Sequence, residues 1–516
     1  MTDHPFMNQL LQKLPPLSFG RILVQEPEGS DCAVISIDEV KATDLASFGA
    51  DLERIGFVRK NTHSFGEALF TVFTKDTLAL YVSYYPTIEQ LRIVGEENSA
   101  YLTLPQEPVV RNGAPSLFTQ LELQDFGLSY LVRLCDGRFL VFDGGWEFEP
   151  DADNLMAELY RQSPDEVPRI AAWIFTHPHI DHYRCFLIFH EKYAGQFVVE
   201  RYLYNFPILS EEYFNEGDLH ELPHLQRMEA LIKADGVPVY RPHSGQVYQF
   251  ANVRMDILSS LDDTCQPPLD FNTISLIVKL HVDGQSILFC GDGYFQPNFL
   301  EERYGTYLKS HILQVTHHGF NGATVSGHKL IDPAVCLVPC FHYDFYRYID
   351  VYYATNQTLL YDLNVQEILT GGDGNGSNIV LELPYTPKPH GRDSYLNKLH
   401  TAQKEIGSTS WFFADMTSED CTFSLLNTTI TDPDAYAHLY FDDPKEQVHF
   451  IKIPLRRGAV TKINFATGEG IDGDALYFNR SALAKKGLPE GKPFTVHIFS
   501  KAPIIVWSSK PPVYTA

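Results

Sequence analysis

Basic residues are scarce in this chain. Over 516 residues, 40 Lys and Arg stand against 65 Asp and Glu, a formal net charge of −25. No Lys/Arg run is longer than Arg456-Arg457 or Lys485-Lys486. A charge balance of that sign repels phosphate backbones, so a nucleic-acid polymer is disfavoured as a partner. Long apolar runs are missing too. Met1 to Pro16 carries Asp3, His4, Gln9 and Gln12 where a signal peptide needs a continuous apolar core. Nothing later approaches the roughly 18 uninterrupted apolar residues of a membrane span, so a cytoplasmic protein without a membrane partner is expected. The eight cysteines are scattered, and the closest pair, Cys336 and Cys340, lacks C-x2-C spacing. Reduced, mostly buried thiols are expected in place of a disulfide framework or a zinc knuckle. Internal repeats, low-complexity tracts, a G-x-S-x-G nucleophile elbow and a P-loop are also absent.

What is present is a globular composition, 44% hydrophobic, 13% aromatic and 20% charged, well outside the range of disorder. The length suits roughly three domains at about 150 residues each. Patterning separates three regions. Residues 1–110 combine a helical stretch, DLASFGADLERIGF, with the alternating runs ALFTVFTK, LALYVSYY and QLRIVGE, and read as an α+β accessory module. Residues 111–385 alternate apolar strands with loops and helices, and glycine-acid turns follow several of those strands. A linker follows, with Pro384, Pro387, Pro389 and Gly391 close together. Residues 386–516 are mostly short alternating runs and read as a β-rich accessory domain.

Histidine is concentrated in the middle region. Thirteen of the 20 histidines lie between His177 and His342, about a third of the chain. Among them is Thr176-His177-Pro178-His179-Ile180-Asp181-His182, directly after the apolar run AAWIF. Two histidines two residues apart on a turn leaving a strand can aim both rings at one metal ion, while Asp181 and His182 face a second. Such a pattern arises by chance in about two chains per thousand of this length, so it reads as a metal site. Imidazole plus carboxylate suits Zn²⁺ first, and Mn²⁺ or Fe²⁺ next, better than Ca²⁺ or Mg²⁺, which prefer oxygen donors.

These motifs resemble the metallo-β-lactamase superfamily over roughly residues 116 to 383. The resemblance implies a four-layer αββα sandwich carrying two divalent metal ions at one edge. Arg138-Phe-Leu-Val-Phe-Asp143-Gly144-Gly145 looks like the family's strand ending in an Asp-Gly turn, which implies that Asp143 orients the ligands without being one. Ser286-Ile-Leu-Phe-Cys-Gly291-Asp292 looks like the strand that supplies the bridging aspartate. Ile312-Leu-Gln-Val-Thr316-His317-His318-Gly319 resembles the last strand with its terminal histidine. The doublet, with Asn272-Thr-Ile-Ser275-Leu276, is closest in style to the branch of DNA-uptake competence proteins and phosphorylcholine esterases. By this resemblance the metal ligands are His177, His179, Asp181, His182, Asp292 and His318, with His317 contacting substrate; the reverse assignment of the doublet is the alternative. One further histidine is implied between the first cluster and Asp292. His243 is favoured, with His220 and His224 as alternatives.

The chain departs from that branch after Val338-Pro339. Seven aromatics fall within residues 341–353, together with His342 and Arg347. They read either as a segment docked on a neighbouring domain or as the wall of a substrate pocket. The expected function is a metal-dependent hydrolase using a metal-bridging hydroxide, with Asp181, His317 and His342 as catalytic groups. The favoured substrate is a small, anionic phosphodiester or phosphoester. Lactone, thioester or amide hydrolysis at the same site is the alternative, followed by a nuclease or a non-enzymatic binding protein. Di-iron oxygen reduction is disfavoured, because the related oxidoreductases resemble H-x-E-x-D-H and carry a flavodoxin-like domain that has no signature here. The accessory domains wall the pocket or mediate homo-oligomerisation.

Overall fold

In the strand Leu78–Tyr85 every residue is buried, which a sheet wet on one face does not allow. The antiparallel sheet that contains it is covered on both sides. Its order is Arg21–Pro27, Cys32–Asp38, Gln90–Glu97, Leu78–Tyr85, Ala68–Lys75, Val58–Phe65. Leu78, Leu80, Val82 and Tyr84 share a core with Phe6, Met7 and Leu10 of the helix Pro5–Lys13 and Phe48 and Leu52 of the helix Ala42–Arg54. Ala79 and Tyr81, on the alternate face, join Cys32, Val34 and Val94 in the core of the region that follows. The two-residue period of a strand thus divides each of these strands between two cores.

The computed structural model describes residues 5–99, 109–296 except 112, 126 and 265, 299–340, some positions between 355 and 371, 378–388, 408–427, 434–441, 449–455, 459–467 and 492–515. Two compact units divide the chain, Met1–Cys340 with Ser377–Thr386, and Phe341–Gly376 with Pro387–Ala516.

Beyond the first sheet, the first unit is a sandwich. One mixed sheet runs Val239–Tyr240, Tyr202–Leu203, Arg169–Ile174, Phe139–Asp143, Ser129–Arg133, Ser116–Gln120, Ile379–Leu383. The second contains Val247–Phe250, Val253–Ser259, Ile277–Val282, Gln285–Phe289, Ile312–Gln314 and Val335–Val338 in that order. The sheets meet face to face through Phe142 and Phe289, whose ring centroids are 4.4 Å apart. Helices Glu149–Gln162 and Ile180–Lys192 cover the first sheet, where Phe186 and Phe189 stand edge-on to Trp173 at 5.0 and 5.3 Å. Helix Leu300–Tyr304 flanks the second sheet, and the Tyr304 hydroxyl donates to Leu258 O at 2.6 Å. The first unit is thus a sandwich of two mixed sheets with helices packed on them, the α/β layering that the motifs imply, preceded by an α+β sheet; a β-rich region follows.

The described part of the second unit is antiparallel. The long strand Phe494–Ser508 pairs with Ser408–Met416, Asp434–Phe441 and Thr422–Asn427 around a core that includes Phe413, Phe423, Ile451 and Val496. Among the described residues no helix is long and apolar enough to cross a membrane.

Candidate metal centre

The C-terminal ends of four strands deliver the cluster. Arg169–Ile174 leads through Phe175 and Thr176 to His177 and His179, and the helix Ile180–Lys192 then carries Asp181 and His182 on its first turn. Phe139–Asp143 ends on Asp143, whose φ of 54° is left-handed. Its carboxylate accepts from Thr176 N at 2.7 Å and Thr176 Oγ1 at 2.6 Å, and lies 2.8 Å from His182 Nδ1. Asp143 therefore fixes both the turn and the His182 ring, leaving Nε2 of that ring to face the cluster. Gln285–Phe289 continues into Cys290, Gly291 and Asp292. A side chain at Gly291 would crowd Thr176 Cβ at 3.1 Å, and its φ is +55°, so glycine lets the two motifs come this close without strain.

Ile312–Gln314 leads into the doublet, where His317 and His318 have φ of 50° and 53°. Left-handed backbone outside glycine costs about 1–3 kcal/mol per residue and collects at functional sites. The turn sends the two rings to different depths. His318 is buried, its Nδ1 donates to Pro339 O at 3.0 Å, and its Nε2 lies 3.0 Å from Asp181 and 3.2 Å from Asp292. His317 is 21% exposed, its Nδ1 is 2.7 Å from Asn321 Oδ1, and its Nε2 is 3.9 Å from Asp292.

Asp292 is the centre of the arrangement. Its Oδ2 lies 3.2 Å from both His182 Nε2 and His318 Nε2, and 3.8 Å from His177 Nε2. Asp181, His182, Asp292 and His318 are all buried and each offers a donor atom within 4.8 Å of the others, which forms a group able to hold a metal ion. His177 Nε2 and His179 Nδ1 are 2.9 Å apart at the outer side of this group, and His179 is 24% exposed.

The electrostatics ask for positive charge. Burial disfavours a charged His182, yet Asp292, Asp181 and Asp143 outweigh it and raise its pKa well above the imidazole range. Burial likewise disfavours a charged His318, but Asp292 and Asp181 outweigh it and push its pKa up to about 10. His177, sealed from water beside His182, is held well below its usual value. Asp292 Oδ1 and His182 Nε2 are buried without a hydrogen-bond partner, at a cost of about 1–3 kcal/mol each. Imidazole and carboxylate donors with unused lone pairs around a shared acid fit divalent metal, which replaces ring protons as the compensating charge.

His243 does not join this cluster. Its Nδ1 lies 2.8 Å from Asp262, its ring centroid is 5.0 Å from that of Tyr81, and its Nε2 points toward Glu96 in the N-terminal sheet. The turn it occupies emerges against that sheet and away from the metal edge. His220 is exposed and bonded to Gly217 O and Glu221; His224 lies on the helix Leu222–Asp235, outside the cluster. The residue that approaches from this segment is Asp218, 3.6 Å from His179 Nε2. It stands two positions before His220, and a search for histidine alone passes over it. His342 and the aromatic run 341–353 lie outside the described residues.

A cavity of about 450 Å³ lies against the N-terminal sheet, lined in part by Gln90, Arg92, Asp262, Asp263, Leu269 and Arg303, and none of the cluster residues lines it. Asp270 and Thr273 also line it, and Phe271 between them has its ring centroid 5.4 Å from that of His179, tilted by 52°, so this short segment connects the cavity wall to the cluster.

No protein family matches the sequence, and no curated protein matches it. Solved structures do resemble the chain. The metallo-β-lactamase fold protein YhfI from Bacillus subtilis is 12% identical, with 52% of this chain and 100% of that one covered at a TM-score of 0.34. Zn²⁺-bound PqqB from Methylobacterium extorquens is 14% identical, covering 37% and 57% at 0.24. CmlA, a diiron β-hydroxylase from Streptomyces venezuelae, is 11% identical, covering 54% and 55% at 0.33. Likeness at this level carries no function across.

Proposed function

We propose that this chain is a dinuclear metal-dependent hydrolase acting on a small phosphodiester or phosphoester. The observation that carries the reading is Asp292 Oδ2, one carboxylate oxygen 3.2 Å from His182 and His318 and 3.8 and 3.9 Å from His177 and His317. In this reading His177, His179 and Asp292 hold one ion, and Asp181, His182, Asp292 and His318 hold the second. Two such ions supply a water of lowered pKa and polarise a phosphoryl oxygen.

The chain's own residues do the rest. Asp143 and Thr176 keep His182 in one orientation. Asn321 holds the proton of His317 on Nδ1, so Nε2 is the atom that exchanges a proton with the departing group. Tyr294, 5.8 Å from the His317 ring, stands beside it as a hydrogen-bonding group. An anionic substrate agrees with the site's cationic content, although the whole chain is acidic. The resemblance to the competence and phosphorylcholine esterase branch rests on the His317-His318-Gly319 doublet and points the same way. The seven described cysteines are buried and form no disulfide with one another, in keeping with a reducing, cytoplasmic setting.

The test is a panel of chromogenic phosphodiesters, phosphomonoesters, lactones and thioesters, assayed before and after chelation and again after adding back zinc, manganese or iron. Phosphoester turnover that disappears on chelation and returns with metal is expected. Full phosphoester turnover by metal-free protein overturns the reading, and turnover confined to carbonyl substrates replaces it with the lactone or thioester alternative.

A further inference from the structure

A second group of donors lies away from the cluster just described. Glu28 and Cys32 face each other across the tight connection between strands Arg21–Pro27 and Cys32–Asp38, with Glu28 Oε2 3.5 Å from Cys32 Sγ. His243 enters from the sandwich. A donor atom from each of the three lies within 4.8 Å of the others, and all three residues are buried. Glu96, paired with Cys32 across the adjoining strand, adds a carboxylate oxygen 3.6 Å from His243 Nε2.

Two of these atoms lack a hydrogen bond of good geometry. Glu28 Oε1 and His243 Nε2 are buried without a hydrogen-bond partner, on side chains more than nine-tenths sealed from solvent. The contact of Nε2 with Glu96 is too long to serve as a hydrogen bond. The opposite ring atom, Nδ1, is engaged by Asp262 at 2.8 Å, which leaves Nε2 to face the rest of the group. The turn is itself clamped. A side chain at Gly245 would strike Phe70 Cδ1 at 2.0 Å, and Gly245 O is 2.6 Å from His63 Nε2.

We infer that Glu28, Cys32 and His243, with Glu96 beside them, form a separate, closed zinc site that ties the N-terminal sheet to the sandwich. Sulfur, imidazole and carboxylate donors together select zinc over calcium or magnesium, and the burial of all three leaves no path for a substrate. On binding, the Cys32 thiol loses its proton to solvent as the sulfur-metal bond forms, with no change of oxidation state. The role is structural, and the inference is independent of the hydrolase reading.

Cobalt separates the two sites, because the cluster at Asp292 contains no sulfur donor. The full chain loaded with Co²⁺ is expected to show a thiolate-to-cobalt charge-transfer band in the near ultraviolet. That band persists in Asp292→Asn and vanishes in Cys32→Ser, which also retains one metal equivalent fewer than the wild type. Should Cys32→Ser fail to fold, Glu28→Gln, which keeps the hairpin's shape, is expected to shift or weaken the band. A wild-type protein without the band at saturating cobalt, and with the same metal count as Glu28→Gln, overturns the site and leaves a hydrogen-bonded charge network in its place.

Discussion

The cluster around Asp292 and the group around His243 are built from similar donors and differ in what surrounds them. At Asp292 the inner residues are buried while His179 and His317 are 24% and 21% exposed, so one side opens to solvent. At His243 every donor is closed in, and Glu96, the most accessible, has 10% of its side chain exposed. Each has a histidine held at Nδ1 by a buried aspartate at 2.8 Å, Asp143 for His182 and Asp262 for His243. The orienting carboxylate is therefore a common device, and access to the donors distinguishes a site that can turn over a substrate from one that only holds the fold together.

The largest effect should come from the shared carboxylate. Asp292→Asn keeps the shape but removes the negative charge that faces four imidazoles, and metal-dependent phosphoester turnover should fall to background. Metal analysis of the same variant should show loss at the Asp292 cluster alone, with the thiolate-cobalt signature of the other site intact. Simultaneous loss of both signals would merge the two regions into one cooperative unit. A smaller loss is expected from Asp143→Ala, which touches no substrate. Freeing His182 and the Thr176 turn should lower metal affinity or activity by about 10–100-fold, measured as a rise in the metal concentration needed for half-maximal turnover.

The difference between the two regions also explains how much was legible in the sequence. The Asp292 cluster is assembled from strand ends, and each contributes a short motif at the point where a buried apolar run stops: Trp173 and Ile174 before His177, Phe289 before Asp292, Leu313 before His317. Polar residues at such positions cannot join the core, so they mark the edge of the sandwich, and α/β layering follows from the same runs. The His243 group leaves no such trace. Glu28 and Cys32 lie four positions apart in a hairpin whose ordinary reading is a turn, and their partner is more than 200 residues away on another turn. A turn histidine shows that the chain leaves a strand there, not which side it faces, and for that reason His243 was expected at the metal edge and is found under the N-terminal sheet. Asp218 carries no signal of its own in a segment with several acids, and yet its carboxylate is the group that approaches His179.

Two milder substitutions sharpen the contrast. Asp262→Asn leaves the volume unchanged but weakens the hold on Nδ1 of His243, and zinc affinity at the closed site should fall by about 10–100-fold while turnover at Asp292 persists. Asp262 also accepts from Asn205 Nδ2 at 3.1 Å and from Ser244 N at 3.1 Å, so a lower melting temperature accompanies the change; a loss of stability that is equal with and without zinc would assign it to those bonds alone. His220→Ala should do least. The ring is exposed and bonds only to its own loop and Glu221, so the expected shift in stability is within about 0.5 kcal/mol, with metal content and turnover unchanged. A drop in metal content in this variant would mean that the 217–221 loop swings His220 toward His179 in solution, and Asp218 would then have to yield its place beside that ring.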